Sequence, residues 1–183
     1  FSVSEGAVSS ALAGSQATNP AGNISCSMAG GNWSAPGSWT GGIVPGGGDN
    51  VTIGAGCTIT IDVAAAALSL TVQSGGILEF ESATARTLAV TNAVTNDSGG
   101  TIRSNATGTV TTHQLVVGGD LINNGTLDMS TNANTAGAII TFGAGTSNVT
   151  FGGTGATTNV RAITVTKGTQ ASTVELNPSN FTV

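Results

Sequence analysis

The chain has 183 residues, the length of one ordinary domain. Only 7% of them are charged, against about 25% in an average soluble protein, and the formal net charge is -5. Four basic residues cannot form a phosphate-binding footprint, which excludes nucleic acid; no run approaches the ~18 apolar residues of a membrane helix; and 28 Gly with abundant Thr, Val and Ile argue against long helices.

Residues 1–24 are small, Ser- and Ala-rich and weakly apolar. Phe1 and Val3 alternate, then Val8, Ala11 and Leu12 take near-helical spacing. The segment reads as a capping helix, an extended arm or a flexible leader. A Phe in place of Met at position 1 reads as a processed or trimmed start. One domain is expected over 25–183. Cys26 and Cys57 are the only cysteines, His113 is the only histidine, and no metal-ligand spacing occurs. Two cysteines in a Thr-, Asn- and Gly-rich chain predict one disulfide in an oxidising, extracellular compartment.

Residues 30–50 are dense in Gly and Pro and hold the two tryptophans, Trp33 and Trp39. The pair is expected to plug the end of an apolar core; a sugar-stacking platform is the alternative. Asp49 follows Gly46–Gly48 and precedes a strand, so it is expected to cap a turn.

From Val51 onward, runs with period-two apolar alternation read as strands of four to eight residues, as in VTIGAGCTITIDV (51–63), LSLTV (68–72), GILEFE (76–81), TLAVTNAV (87–94), GTVTTHQLVV (108–117) and AIITFG (138–143). They are separated by Gly-Gly, Asn-Gly and Ser-Gly turns and recur in units of roughly 17–27 residues. A hairpin sandwich also spaces short strands evenly. The scarcity of charge favours stacked coils of a β-solenoid, about six or seven of them, with outward Thr and Asn forming ladders. The expected interior is Val51, Ile53, Ile59, Ile61, Leu68, Leu70, Val72, Leu88, Val90, Leu115, Val117, Leu121, Leu127, Ile139, Phe142, Val149, Phe151, Ile163, Val165, Val174 and Leu176.

The run NWSAPGSWTGGIVPGGGDNVTIGAGCTITID (32–62) resembles the opening coils of the eight-glycine domain of cell-surface proteins. It resembles still more the start of secreted bacterial β-helix surface proteins, whose later repeats are similar to LSLTVQSGGILEF and LVVGGDLINNGTLDMS. The resemblance implies a right-handed parallel β-helix, extracellular or surface-attached, in adhesins or fibres. It carries over no catalytic residue.

Among reactive groups, Glu79 and Glu81 share one strand face, and Asp62 lies about one coil earlier. These three are a weak Ca²⁺ candidate against the plainer reading of solvated side chains. Asp120 and Asp128 flank the Asn123-Asn124-Gly125 turn, where turn chemistry outweighs glycoside hydrolysis. His113 is expected at the surface or as a satisfied turn donor. Thr-x-Thr pairs at Thr58/Thr60, Thr107/Thr109, Thr109/Thr111 and Thr164/Thr166 skip coils, which makes an ice-binding array a minor alternative. Eight N-x-S/T sequons begin at Asn23, Asn32, Asn50, Asn96, Asn105, Asn124, Asn148 and Asn180 and mark a secreted composition.

The composite expectation is a non-enzymatic surface filament or adhesin subunit without a cofactor. Its partners would be other copies of itself or the rest of a larger surface protein. The alternative is a carbohydrate-binding or carbohydrate-active module. The arm residues Phe1, Val3, Val8 and Leu12 are expected to dock on a neighbour's last strands, around Val174, Leu176, Phe181 and Val183, which no polar cap follows.

Overall fold

The computed structural model describes residues 22–143, 145–168 and 171–183. Within them the chain is a parallel β-solenoid of about six turns with almost no helix. Its first, partial coil carries β1 (Asn23–Ser25) and β2 (Gly31–Asn32). The second carries β3 (Asn50–Ile53), β4 (Thr58–Ile61) and β5 (Ala65–Ala67), and the third β6 (Ser69–Val72), β7 (Ile77–Phe80) and β8 (Thr87–Val90). The fourth has β9 (Val94–Asn96), β10 (Thr101–Arg103) and β11 (His113–Val117). The fifth has β12 (Leu121–Asn123), β13 (Thr126–Asp128), a short β14 (Ser130–Thr131) and β15 (Ala136–Phe142). The sixth has β16 (Val149–Gly152), β17 (Thr157–Asn159) and β18 (Ala162–Val165); the last holds β19 (Val174–Leu176) and β20 (Phe181–Thr182).

Three sheets result. Sheet one stacks β1-β3-β6-β9-β12-β16-β19, sheet two β2-β4-β7-β10-β13-β17-β20, and sheet three β5-β8-β11-β15-β18. Among the described residues the rungs pair in parallel; β14 runs antiparallel to β15, and an isolated antiparallel bridge joins Cys26 to Trp39. Among the described residues the stack begins with β1, so Asn23 and Ile24, the last two residues of the expected arm, pair with β3, and Ile24 is buried.

The strands alternate as their residues dictate. VTI of β3, TITI of β4 and SLTV of β6 bury Val51, Ile53, Ile59, Ile61, Leu70 and Val72 and turn Thr outward. Inward side chains of all three sheets meet in one core, and each fully buried Leu or Ile contributes about 1.5–3 kcal/mol. In the second, third and fourth coils the corner between sheets one and two takes left-handed backbone. Gly56, Gly75 and Gly99 supply it at φ 76°, 78° and 85°, and their amides stack, Gly56 N–H to Gly75 O at 3.0 Å and Gly75 N–H to Gly99 O at 2.9 Å. The corner between sheets two and three varies instead: 62–64 in the second coil, 81–86 in the third, 104–112 in the fourth.

The expected interior needs correction in four places. Ile139 points outward, because β15 takes its register from β11: Leu115 pairs with Ile140 and Gln114 with Ile139. An Ala-Ile-Ile run has no alternation from which to read the phase. Leu68 is a half-buried corner residue between β5 and β6. Val165 and Leu176 do face inward, opposite Phe142 and Phe151, but are 53% and 50% exposed because they lie on the uppermost rungs of their sheets among the described residues.

Candidate functional site

Among the described residues, five places hold the chemistry: the end before β3, the outer face of sheet two, the polar line inside the core, the buried histidine of β11, and the last coils.

At the first end, Cys26 and Cys57 form the expected disulfide, with Cα atoms 6.5 Å apart. It ties the segment after β1 to the turn before β4. Trp33 and Trp39 lie beneath this loop, 1% and 2% exposed, edge to face at 4.9 Å. The Trp39 indole Nε1–H donates to Trp33 O at 2.7 Å. These rings close the core, and their faces are covered by protein. The sugar-stacking alternative for Trp33 and Trp39 is therefore corrected: a stacking platform needs an open ring face. Asp49 fixes the same end. Its carboxylate accepts Gly46 N–H at 2.8 Å and Gly22 N–H at 2.9 Å, which caps the turn and pins the chain where it enters the stack.

On sheet two, the one-coil offset expected between Asp62 and Glu79 fails by register. Glu79 pairs with Thr60, and Ile61 with Phe80. The Ca²⁺ trio also has other partners. Glu79 is bound by Arg103 on the next rung, with Nε and Nη2 at 3.0 and 2.9 Å from Oε2. Glu81 is bound by Arg86. Asp62 accepts Ser34 N–H at 3.0 Å and Ser34 Oγ–H at 2.5 Å. Burial alone would raise the Asp62 carboxyl, but the Ser34 hydrogen bonds outweigh it and hold the group below the ordinary carboxylate value. Among the described residues no three His, Cys, Asp or Glu side chains gather as metal ligands. Asp120 accepts Thr150 N–H at 2.8 Å, and Asp128 accepts Asn159 Nδ2–H at 2.9 Å, so both carboxylates tie one coil to the next. The Thr58/Thr60 pair lies under Ile77 and Glu79, and Thr107 to Thr111 sit in a connector outside the strands, so the Thr pairs form no stacked array.

Sequence patterns miss the internal polar line. Asn96 and Asn123 are fully buried on adjacent rungs. Asn96 Nδ2 donates to Asn123 Oδ1 at 2.8 Å and to Thr126 O at 3.0 Å. Asn123 Nδ2 donates to Thr157 O at 2.8 Å and Thr158 Oγ1 at 3.0 Å, while its Oδ1 also accepts Gly125 N–H at 3.2 Å. This ladder clamps three coils at the sheet one–two corner.

His113, expected at the surface or in a turn, is instead an inward core residue of β11, 1% exposed, with its ring 5.0 Å from Phe80. Nδ1 accepts Arg86 N–H at 3.1 Å. Burial pushes its pKa below the ordinary value, against the opposing pull of the Glu81 carbonyl and carboxylate. The alternating run GTVTTHQLVV covers His113, but its Thr-rich start reads as a loop, which hides the inward placement.

At the other end, Val165, Leu176 and Phe181 face inward, yet Phe181 is 40% exposed and the other two more so. Val174 and Ile163 are partly buried beside them, and Val183 is exposed. Phe181 meets Phe151 edge to face at 6.0 Å. Phe1, Val3, Val8 and Leu12 lie outside the described residues. Beside the last coils, a cleft of about 420 Å³ is lined by Ser130, Asn134, Ile139, Asn159 and Arg161, among others. Arg161 Nη1 holds the Asn134 carbonyl at 2.9 Å on its rim.

No curated protein and no solved structure matches the chain. The family model described as the G8 domain matches residues 38–171, from the Trp loop through the sixth coil. That span includes the ladder, the buried histidine and both ion pairs, and covers well over half of the sequence. The chain therefore belongs to the G8 domain family.

Proposed function

We infer that the protein works outside the cell: G8 domains are typically extracellular, and the disulfide agrees with an oxidising setting. A solenoid of this family fits a non-enzymatic extracellular protein.

We propose that the chain is a structural subunit of a surface filament or adhesin, joined end to end through its last coil and the arm of residues 1–24. One observation carries the reading. The end before β3 is sealed by Trp33, Trp39 and the disulfide, whereas at the other end three inward-facing apolar side chains, Val165, Leu176 and Phe181, stay 40% or more exposed. Apolar groups with open strand edges beside them are a template for another strand-bearing surface. The occupant is another copy or a further part of one large surface protein. Sedimentation velocity with negative-stain imaging over a concentration series tests this. Concentration-dependent oligomers that dissolve in Leu176→Asp and Phe181→Asp support the filament; a monomer at every concentration rejects assembly of copies and leaves a further part of one surface protein as the occupant.

A second reading, carbohydrate binding, is favoured by the cleft beside the last coils, whose lining mixes Ser, Asn and Arg groups with apolar side chains. Retention on immobilised polysaccharide by a strictly monomeric protein would support this reading over the first.

A further inference from the structure

Eight sequons occur, and their side chains differ sharply in what they touch. Asn96 is fully buried, with its amide nitrogen committed to the ladder. Asn50 donates to Asn23 and accepts from Ser69, so this outer line on sheet one is closed by its own bonds. Asn180 donates to Gly155 O at 2.9 Å. Asn124 and Asn148 accept from Thr154 and Thr173 on the following coil, and the hydroxyl residues of both sequons lie within strands.

Asn105-Ala106-Thr107 is different. It lies wholly in the 104–112 connector between β10 and β11, with Ala106 and Thr107 exposed. The Thr107 hydroxyl donates to Asn105 Oδ1 at 3.0 Å, and Thr107 N–H donates to the same oxygen at 2.9 Å. No other sequon among the described residues shows its hydroxyl on its own acceptor side chain. The Asn105 carbonyl is anchored separately, by Thr131 Oγ1–H at 2.8 Å and Gly108 N–H at 3.2 Å. Nδ2 is left with one contact at the distance limit, Glu79 Oε1 at 3.5 Å.

We infer that Asn105 is an acceptor site for an N-linked oligosaccharide. The donor class is a lipid-pyrophosphate-linked oligosaccharide, delivered by a membrane transferase of the secretory route. The Asn105 Nδ2–C1 bond forms as the bond from C1 to the pyrophosphate oxygen breaks. Lipid pyrophosphate leaves, and the amide proton passes to a base of the transferase. The hydrogen bonds that shape the acceptor span three consecutive residues, so they form before the coils stack and suit modification of an unfolded chain. The folded connector then carries the sugar outward without disturbing a rung. A sugar on Asn96 would have to enter the core, so no folded molecule carries one. The inference rests on the extracellular reading and is independent of whether copies assemble.

The experiment is secretion of the full chain from eukaryotic cells, followed by glycopeptide mapping of medium and lysate. N-glycanase release in heavy-oxygen water marks each occupied Asn. The expected result is occupancy at Asn105 and none at Asn96. Thr107→Val and Asn105→Gln should lose the Asn105 mark and the gel shift it causes, whereas Thr107→Ser should keep both. Asn105 unoccupied, whether other sequons are modified or not, overturns the inference. Because the maps are read on protein that also melts cooperatively, that failure leaves the fold and the assembly reading standing.

Discussion

Asn123 offers the sharpest test of what holds the coils in line. Its side chain makes four hydrogen bonds, three of them buried and one part-buried, to Asn96, Gly125, Thr158 and Thr157, reaching the coils before and after its own. Asn123→Leu keeps a similar shape, fills the space and leaves no room for a rescuing water. It strands one Asn96 Nδ2 hydrogen and the Gly125 N–H without acceptors, and two oxygens lose a donor. An unsatisfied buried donor costs about 1–3 kcal/mol, so two of them, with a smaller share for the oxygens, come to about 4 kcal/mol. For a chain of this size about 2–4 °C is lost per kcal/mol, which places the fall in melting temperature at about 8–16 °C. Circular dichroism melts and urea titrations of wild type and variant measure it. The double variant Asn96→Leu/Asn123→Leu should recover part of the loss, since the Asn96 donor is removed with its acceptor. A fall below about 1 kcal/mol in Asn123→Leu would show that the ladder does not clamp the coils.

Three further predictions follow from other parts of the fold. Reducing Cys26–Cys57, or replacing both with Ser, opens a cross-link of sequence separation 31 and should cost about 3–4 kcal/mol in the chain-entropy model; intact mass with and without reductant confirms the bond, and two free thiols in native protein would refute it. Leu127→Asp puts an unpaired charge in the fully buried core of β13 and should abolish folding, so a soluble, cooperatively melting variant would count against the inward orientation of β13. His113 has a depressed folded pKa, so the unfolded chain takes up its proton first on acidification. Its contribution is fully kept above the ordinary value of 6.5 and is lost as pH falls from 6.5 through the lower folded value. Melts between pH 7.5 and 5 should show this slope in the wild type and a flatter one in His113→Gln; equal slopes would refute the assignment.

The solenoid is legible because its rules are local. Alternation in TITI or SLTV needs only the two-residue period, and Gly-Gly turns announce where each strand stops. The disulfide follows from there being just two cysteines. The inside of the coil is less legible wherever orientation depends on the neighbouring rung. Asn96 and Asn123 look like turn residues in sequence, and only their pairing with each other and with the coil above turns them inward. His113 and Ile139 fail for the same reason: β11 and β15 set each other's phase across 25 residues of chain, where no short window can see it. Glu79 reads correctly as outward. Its partner Arg103 escapes notice because the ion pair spans one coil, and coil length is not constant.

The uneven corner between sheets two and three divides the molecule into a part that must keep count and a part that need not. The rungs are registered by sheets one and two, whose shared corner is glycine-locked in the second to fourth coils. The opposite corner absorbs connectors from 62–64 to 104–112 without moving a strand out of its stack. Residues can therefore be gained or lost there during evolution with little effect on the core, since lengthening an existing surface loop costs little closure entropy. Within a family of such solenoids, this edge is where relatives should diverge fastest. It is also where an engineer could graft an epitope or a binding loop with the least risk to folding.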